Sequence, residues 1–288
     1  MGKEGEYFRD LGEGGRTLTP SVNIGVSSLP DQFVNLQLKK GFTFNIMCIG
    51  ATGVGKTSLF HTLFRHPLTD EDHPPRSEDV SIISHNFNMR EANVNLKVTF
   101  IESRGFGDQI NKSSSAKNII EYIETQFETV LEEETKINRN LDTNLDPLVH
   151  ACLYIISPTG HSLTPLDIVT MKELQSKVNL IPIIGKSDIL TSEELKEFKA
   201  RINVDLRDNG IKIYQFPTDD STIASKNTDM NNRIPFAVVS STQEEMINNQ
   251  LCRVRKYPWG TVVIDDENHC EFSLLRDMLL RHTLLIKF

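Results

Sequence analysis

Apolar runs alternate with amphipathic segments along the chain from Gly41 onward. Six of the apolar runs predict β-strands: FNIMCIG, VSIISHNF, VNLKVTFIE, VHACLYIIS, VNLIPIIG and IPFAVVS. The stretches CLYII and LIPII are continuously apolar, which is typical of strands covered on both faces. In VNLKVTF the apolar and polar positions alternate, so we expect this strand near an edge of the sheet.

Two segments between these strands have the spacing of amphipathic helices. In the first, the apolar positions recur along one helical face: Ile119, Ile120, Ile123, Phe127, Val130 and Leu131. The second begins at a capping box formed by Thr191 and Glu194 and ends at Asn209 and Gly210. Its apolar stripe is Leu195, Phe198, Ile202 and Leu206. This alternation of strands and helices predicts an α/β fold in which helices wrap a mainly parallel six-stranded sheet.

The composition narrows the class of protein. The chain has 288 residues, of which 38% are apolar and 24% charged, so we expect a globular core. A net charge of −8 argues against a nucleic-acid partner, which would need clustered Lys and Arg. We also expect no membrane span, because no apolar run approaches about 18 residues, and no secretory signal, because residues 1–20 are polar and contain no apolar h-region. The four cysteines form no CxxC pair, which favours a reduced, intracellular protein without a zinc site.

One segment matches the phosphate-binding pattern GxxxxGK[ST]. Its residues are Gly50, Ala51, Thr52, Gly53, Val54, Gly55, Lys56 and Thr57, between the strand FNIMCIG and the helix-compatible run TSLFHTLF. Glycines let the backbone N–H groups point inward around phosphate oxygens at a helix N-terminus. We expect Lys56 to bind the β- and γ-phosphates and Thr57 to ligate magnesium, with Ser58 next in the binding segment.

A second motif, Gly185-Lys186-Ser187-Asp188, follows LIPII, where guanine-specific P-loop proteins carry [N/T]KxD. The Asp188 carboxylate can accept hydrogen bonds from both guanine N1–H and the exocyclic amine, a pair of donors that adenine lacks. The stem of Lys186 can lie on the ring face. The motif therefore predicts GTP or GDP as the ligand, although a segment this short also fits an ordinary surface loop.

The sequence resembles the septins, a family of filament-forming GTP-binding proteins. The matching segments, which lie between Gly41 and Gly260, are GFTFNIMCIGATGVGKTSL, GFGDQINKS, CLYIISPTGHSL, SKVNLIPIIGKSD, YQFPTDD, PFAVVSST and RVRKYPWG. The resemblance as a whole covers roughly residues 29–280. PTGHSL and YPWG lie outside the general GTPase set. Within the family the chain is most similar to the septin six subgroup, which lacks the catalytic threonine of switch one.

The resemblance implies roles for further residues. Gly105 is the glycine of the second switch, Ser240 stands where the family usually has a glycine against the guanine, and Arg255 packs on the base. His161 reaches the nucleotide of a neighbouring subunit, and Glu194 faces the same partner. From the residues alone, Glu194 is equally explained by helix capping, Ser240 by a strand end, and Arg255 and His161 by solvent exposure.

The chain departs from the family pattern at the positions that take part in GTP hydrolysis. Glu102 stands in place of the aspartate of DxxG, and Phe106 rather than glutamine follows Gly105. The switch-one threonine position falls on Asp79, although Ser77 or Ser81 would substitute if the loop shifts. We therefore expect GTP binding with very slow or absent hydrolysis, and we assign no catalytic residue.

The resemblance also implies an organisation and a role. We expect a flexible arm over residues 1–35, a P-loop GTP-binding domain over 36–242, and a septin-type extension over 243–288 that lacks the coiled coil. The implied role is a cytoskeletal, filament-forming subunit at the cell cortex or cleavage furrow, active in cytokinesis, whose partners are other septins. Membrane contact is weakly supported, because the basic stretch is reduced to Lys39 and Lys40. The alternatives are an active GTPase switch and, more distantly, a P-loop kinase.

Overall fold

A computed structural model describes residues 41–64, 80–91, 94–109, 115–138, 146–218, 224–247 and 250–281, with Gln32 and Lys112 as single positions. The predicted arm, apart from Gln32, lies outside the described residues, as do Lys39, Lys40, Ser77 and Asp79. The predictions made for those positions therefore stay predictions.

Nine strands are described. They are β1 (Phe42–Gly50), β2 (Ser81–Glu91), β3 (Val94–Arg104), β4 (Ala151–Ile156), β5 (Leu180–Ile184), β6 (Phe236–Ala237), β7 (Glu244–Ile247), β8 (Gln250–Tyr257) and β9 (Gly260–Val263). The α-helices with described bounds are α1 (Lys56–Phe64), α2 (Lys117–Thr135), α3 (Pro165–Leu174), α4 (Ser192–Asp208), α5 (Ala224–Arg233) and α6 (Phe272–Arg281). A short 3₁₀ turn covers Ser187–Ile189.

The main sheet has the strand order β2-β3-β1-β4-β5-β6. Every neighbouring pair is parallel except β2 and β3, which are antiparallel. The predicted mainly parallel six-stranded sheet is therefore confirmed, and the alternating strand β3 lies second from an edge. Strand β6 has two residues and is shorter than the apolar run IPFAVVS suggested. Directly after β6, Val238 N–H still donates to the Ile184 carbonyl at 2.9 Å.

Both faces of the sheet are buried, which is why its central strands are apolar throughout. Along β1, Phe44, Ile46 and Cys48 join the core under α1 and α6, whereas Met47 and Ile49 join the core on the opposite face. That second core is completed by helices α2, α3 and α4. This two-sided packing fixes the strands, so their carboxyl ends form a rigid edge.

The two predicted helices form, with one difference in burial. Thr191 and Glu194 make the predicted capping box at the start of α4, and Phe198 and Ile202 are fully buried beneath it. In α2, Ile119 and Ile123 are buried, but Phe127 and Leu131 are 43% and 60% exposed. The apolar stripe of α2 therefore contacts the core only through the first part of the helix.

A second, antiparallel sheet of order β7-β8-β9 lies within the region predicted as an extension. It is attached to the main core through the buried Arg253 of β8, which donates to the carbonyl of Thr62 in α1 and lies 5.4 Å from the ring of Phe272 in α6. The apolar pattern did not predict these three strands, of which β7 and β9 have only four residues each. Among the described helices, none combines the length and the apolar character needed to cross a membrane.

Candidate nucleotide-binding site

The carboxyl ends of the parallel strands bring the predicted motifs to one edge of the sheet. The phosphate loop follows β1, Gly105 follows β3, and the Gly185–Asp188 segment follows β5. Open parallel sheets bind their ligands at this edge, where the strand order reverses. The order β3-β1-β4 reverses beside β1, which puts the phosphate loop at that point.

The glycines of the phosphate loop are required by backbone geometry. Gly53 and Gly55 have φ angles of 81° and 103°, which side-chain-bearing residues rarely adopt. A Cβ atom on Gly50 would lie 2.7 Å from the carbonyl oxygen of Ile155, and one on Gly185 would lie 2.9 Å from that of Val54. The loop is therefore packed closely against the ends of β4 and β5.

Lys56 is the first residue of α1 and is buried, with 6% of its surface exposed. Its Nζ donates to the carbonyl oxygens of Gly50 and Ala51, both at 2.9 Å, which holds the ammonium group at the loop. Burial lowers the pKa of Lys56 below its ordinary value. A phosphate group beside the ammonium would favour its charged form and offset this effect.

Thr57 and Glu102 form the part of the site that fits a magnesium ion. The Thr57 hydroxyl donates to Glu102 Oε1 at 2.8 Å, and Glu102 is buried while its Oε2 has no hydrogen-bond partner among the described residues. Oxygen ligands of this kind suit Mg²⁺, which usually keeps waters and phosphate oxygens as its other ligands. The described residues contain no group of three or more His, Cys, Asp or Glu that would hold a metal unaided.

The segment after β3 approaches the phosphate loop. Gly105 has a φ of 73°, and Phe106 is buried against Tyr154 with their ring centroids 6.3 Å apart. The hydroxyl of Thr52 donates to Asp108 Oδ2 at 2.5 Å, which joins the loop to this segment. The motif search missed Asp108, because its contact depends on the fold rather than on spacing in the sequence.

The carboxylate of Asp188 is enclosed at this edge, with 3% of its side chain exposed. Its Oδ1 has no hydrogen-bond partner among the described residues, whereas its Oδ2 accepts from the hydroxyl of Tyr257 and lies 3.5 Å from Arg255 Nε. Lys186 before it has a φ of 49°, and Ser187 N–H donates to the Val238 carbonyl at 3.2 Å. These two features fix the backbone turn that carries the Asp188 carboxylate.

The structure places Ser240 against the phosphate loop and Arg255 beside Asp188. Ser240 Oγ lies 3.3 Å from the position that a Cβ on Gly55 would take, so this serine contacts the phosphate loop. Arg255 lies beside Asp188 and is partly exposed. Ser58, in the first turn of α1, accepts a hydrogen bond at its carbonyl oxygen from the Thr62 hydroxyl at 2.7 Å.

His161 and Glu194, the two residues predicted to act on a partner subunit, are both exposed. The loop that carries His161 contributes to the wall of a cavity of about 620 Å³ that also reaches Ala51 and Gly107 beside the phosphate loop. Glu194 Oε2 accepts from the N–H and the hydroxyl of Thr191, both at 2.9 Å. Helix capping accounts for Glu194 within this chain, and the role of both residues towards a partner stays a prediction.

Together, the sheet order and the phosphate loop with its buried lysine define the class of protein. It is an α/β protein of the P-loop nucleotide-binding type.

Comparisons with known proteins identify the family. The sequence model of the family described as Septin matches residues 40–286. The chain is 51% identical over 266 residues to Septin-2 of Drosophila melanogaster and 50% identical over 266 residues to Septin-11 of Homo sapiens. Each match covers 92% of this chain, and 64% and 62% of those relatives. The chain therefore belongs to the septin family, and it spans less than two thirds of the length of these relatives.

The fold is also found in a solved structure. The crystal structure of the septin GTPase domain from Chlamydomonas reinhardtii superposes with a TM-score of 0.64 at 22% identity, covering 86% of this chain and 95% of that one. This likeness confirms the predicted P-loop GTPase fold.

Proposed function

We propose that this chain binds GTP or GDP and acts as a subunit of septin hetero-oligomers and filaments. The observation that carries the nucleotide assignment is Asp188, a buried carboxylate whose Oδ1 has no partner among the described residues and which follows β5 at the edge that holds the phosphate loop. A buried, incompletely bonded carboxylate is costly unless a ligand donates to it. Guanine has two adjacent N–H donors that fit this carboxylate.

The same carboxylate would reject adenine nucleotides. Adenine has no adjacent pair of donors for a carboxylate, so an adenine base would leave Asp188 desolvated and unpaired. Ser240 and Arg255 would border the base, and the stem of Lys186 would cover its face. The site therefore favours guanine through hydrogen bonds rather than through shape alone.

At the other end of the ligand, the N–H groups of the phosphate loop and Lys56 would bind the phosphates. Thr57 would ligate Mg²⁺, with the free oxygen of Glu102 directed to the same ion. When bound, Mg²⁺ neutralises charge on the β- and γ-phosphates. The residues of the chain bind and orient the nucleotide, and none of them is assigned a proton-transfer role.

The wider role rests on family membership. We infer a cytoplasmic, cytoskeletal protein that pairs with other septins through its nucleotide side, where His161 and Glu194 would face the partner. We further assign the chain to the septin six subgroup and to the cell cortex or cleavage furrow during cytokinesis. Any peripheral membrane contact would depend on the two basic residues Lys39 and Lys40.

Calorimetric titration with GDP, GTP and ATP in the presence of Mg²⁺ tests the nucleotide assignment. We expect guanine nucleotides to bind and ATP not to bind. Asp188→Asn should weaken GDP binding about a hundredfold, because both base hydrogen bonds are disturbed, and should improve binding of xanthosine diphosphate. Asp229→Asn, an exposed substitution on α5, is the matched control and should leave the affinity unchanged.

Two results would contradict the assignment. Equal affinity of the native chain for ATP and GTP would show that Asp188 does not select the base. Unchanged GDP affinity in Asp188→Asn would show that the base binds elsewhere.

A further inference from the structure

The hydroxyl of Tyr257 donates a hydrogen bond to Asp188 Oδ2. Tyr257 is the last residue of β8 in the second sheet, whereas Asp188 follows β5 of the main sheet and is 69 residues away in sequence. The contact therefore connects the second sheet directly to the carboxylate that would read the base.

The ring of Tyr257 is held by two neighbours. Trp259 stacks on it with ring centroids 4.9 Å apart and planes 10° from parallel, and the guanidinium of Arg255 lies 5.3 Å from its centroid. Arg255 and Tyr257 are two positions apart in a strand, so both project from the same face of β8. These contacts limit the rotation of the ring and so fix the position of its hydroxyl.

The two oxygens of Asp188 have unequal surroundings. Oδ2 accepts from Tyr257 and faces Arg255, whereas Oδ1 has no partner among the described residues. A carboxylate has about four acceptor positions, so a donor on Oδ2 still leaves room for the two N–H groups of guanine. Desolvation, together with the hydrogen bond to Asp188, raises the pKa of Tyr257, so its hydroxyl stays a donor at neutral pH.

We propose that Tyr257 is a positioning residue for guanine recognition: its hydroxyl orients the Asp188 carboxylate so that both oxygens can accept hydrogen bonds from the base. This inference rests on the proposed guanine-nucleotide binding. Tyr257 acts through Asp188 and need not touch the nucleotide itself. It also links the sheet that carries the exposed Trp259 to the selectivity of the base site.

The substitution Tyr257→Phe removes the hydroxyl and keeps the ring. We expect GDP affinity to fall about tenfold, because the carboxylate loses its fixed orientation. The ratio of GDP affinity to inosine diphosphate affinity gives the more specific measurement, because inosine lacks only the exocyclic amine. We expect that ratio to fall about threefold, since a carboxylate that rotates no longer holds both base donors.

Tyr214→Phe is the matched control. The hydroxyl of Tyr214 is buried and, unlike that of Tyr257, has no partner among the described residues. Tyr214 lies away from Asp188, because its N–H donates to the Leu180 carbonyl at the opposite end of β5. Its loss should change neither GDP affinity nor the GDP-to-inosine-diphosphate ratio. Trp259 is the one tryptophan of the chain, so its unchanged emission in Tyr257→Phe would show that the ring stack persists.

The outcomes separate this inference from the function on which it rests. If the native chain binds no guanine nucleotide, the proposed function and the inference both fail. If the native chain binds GDP but Tyr257→Phe has native or higher affinity, only the positioning role fails. A loss of GDP affinity with an unchanged GDP-to-inosine-diphosphate ratio would also overturn the inference, because it would indicate a general structural effect.

Discussion

Glu102 and Phe106 differ from the residues of hydrolysing GTPases, in which an aspartate precedes the switch-two glycine in DxxG and a glutamine follows it. The Thr57 hydroxyl donates directly to the Glu102 carboxylate at 2.8 Å. Phe106 is buried, so the position after Gly105 offers no polar group to orient a water molecule. In the proposed site, these residues would support binding of the nucleotide without a contribution that favours the transition state over the ground state.

We predict that the chain binds GTP and releases phosphate very slowly or not at all. Asp79, which lies outside the described residues, is the residue that we predict at the switch-one position, and a carboxylate there would repel the γ-phosphate instead of supporting it. Single-turnover assays with labelled GTP measure the rate. Asp79→Thr should raise the rate about tenfold or more, because it restores a ligand for the metal and the attacking water.

A native rate equal to that of a septin with the switch-one threonine would contradict this prediction. Ser77→Ala and Ser81→Ala would then identify the residue that supplies the missing function. A loss of activity in either variant would assign the role to that serine.

At the same scale, the sequence predicted the residues that are contiguous in the chain. The phosphate loop and the Gly185–Asp188 segment were recognisable because their chemistry depends on local spacing and on the strand before each. The hydrogen bonds of Tyr257 to Asp188 and of Thr52 to Asp108 were not predicted, because each joins segments that only the fold brings together.

The strands of the main sheet and the helices α1, α2 and α4 were predicted, whereas helices α3, α5 and α6 and the strands of the second sheet were not. Strands β4 and β5 are buried along their whole length, so their apolar runs are unmistakable. Strands β7 and β9 have four residues each and are largely exposed, so no apolar pattern identifies them. The second sheet contacts the main core through apolar side chains and through the buried Arg253, a residue type that is usually read as a surface charge.

We predict that Arg253 is the main polar attachment of the second sheet. Its guanidinium donates to the Thr62 carbonyl and lies 3.6 Å from Asp265, with 5% of the side chain exposed. Arg253→Met should lower the free energy of unfolding by about 3 kcal/mol, because the partners lose a buried donor that Met cannot replace. Denaturant unfolding measures the change. Lys256→Met on the same strand, where the lysine is 56% exposed, should change stability by less than about 0.5 kcal/mol.

A small effect of Arg253→Met, comparable to that of Lys256→Met, would contradict the prediction. It would mean that apolar contacts alone hold the second sheet against α1 and α6.

Across the whole molecule, the fold places the proposed base site next to an exposed tryptophan. Trp259 is 82% exposed and stacks on Tyr257, which in turn contacts Asp188. An exposed tryptophan beside a ligand site is a favourable anchor for a protein partner, because such residues contribute much of the energy of an interface. The exposed loop with His161 would border the same ligand from the side of β4.

We predict that nucleotide binding and pairing with another septin are thermodynamically linked. If the nucleotide lies at the interface, GTP must strengthen pairing by the same factor by which the partner strengthens GTP binding. Sedimentation analysis of the chain, alone and mixed with septins of other subgroups, should show complexes that GTP stabilises.

Trp259→Ala should weaken association about thirtyfold, as expected for a central aromatic anchor. Leu251→Ala, also exposed but at the opposite end of β8, is the matched control and should have little effect. A chain that stays monomeric with every partner, with and without GTP, would show that the nucleotide is not an interface ligand.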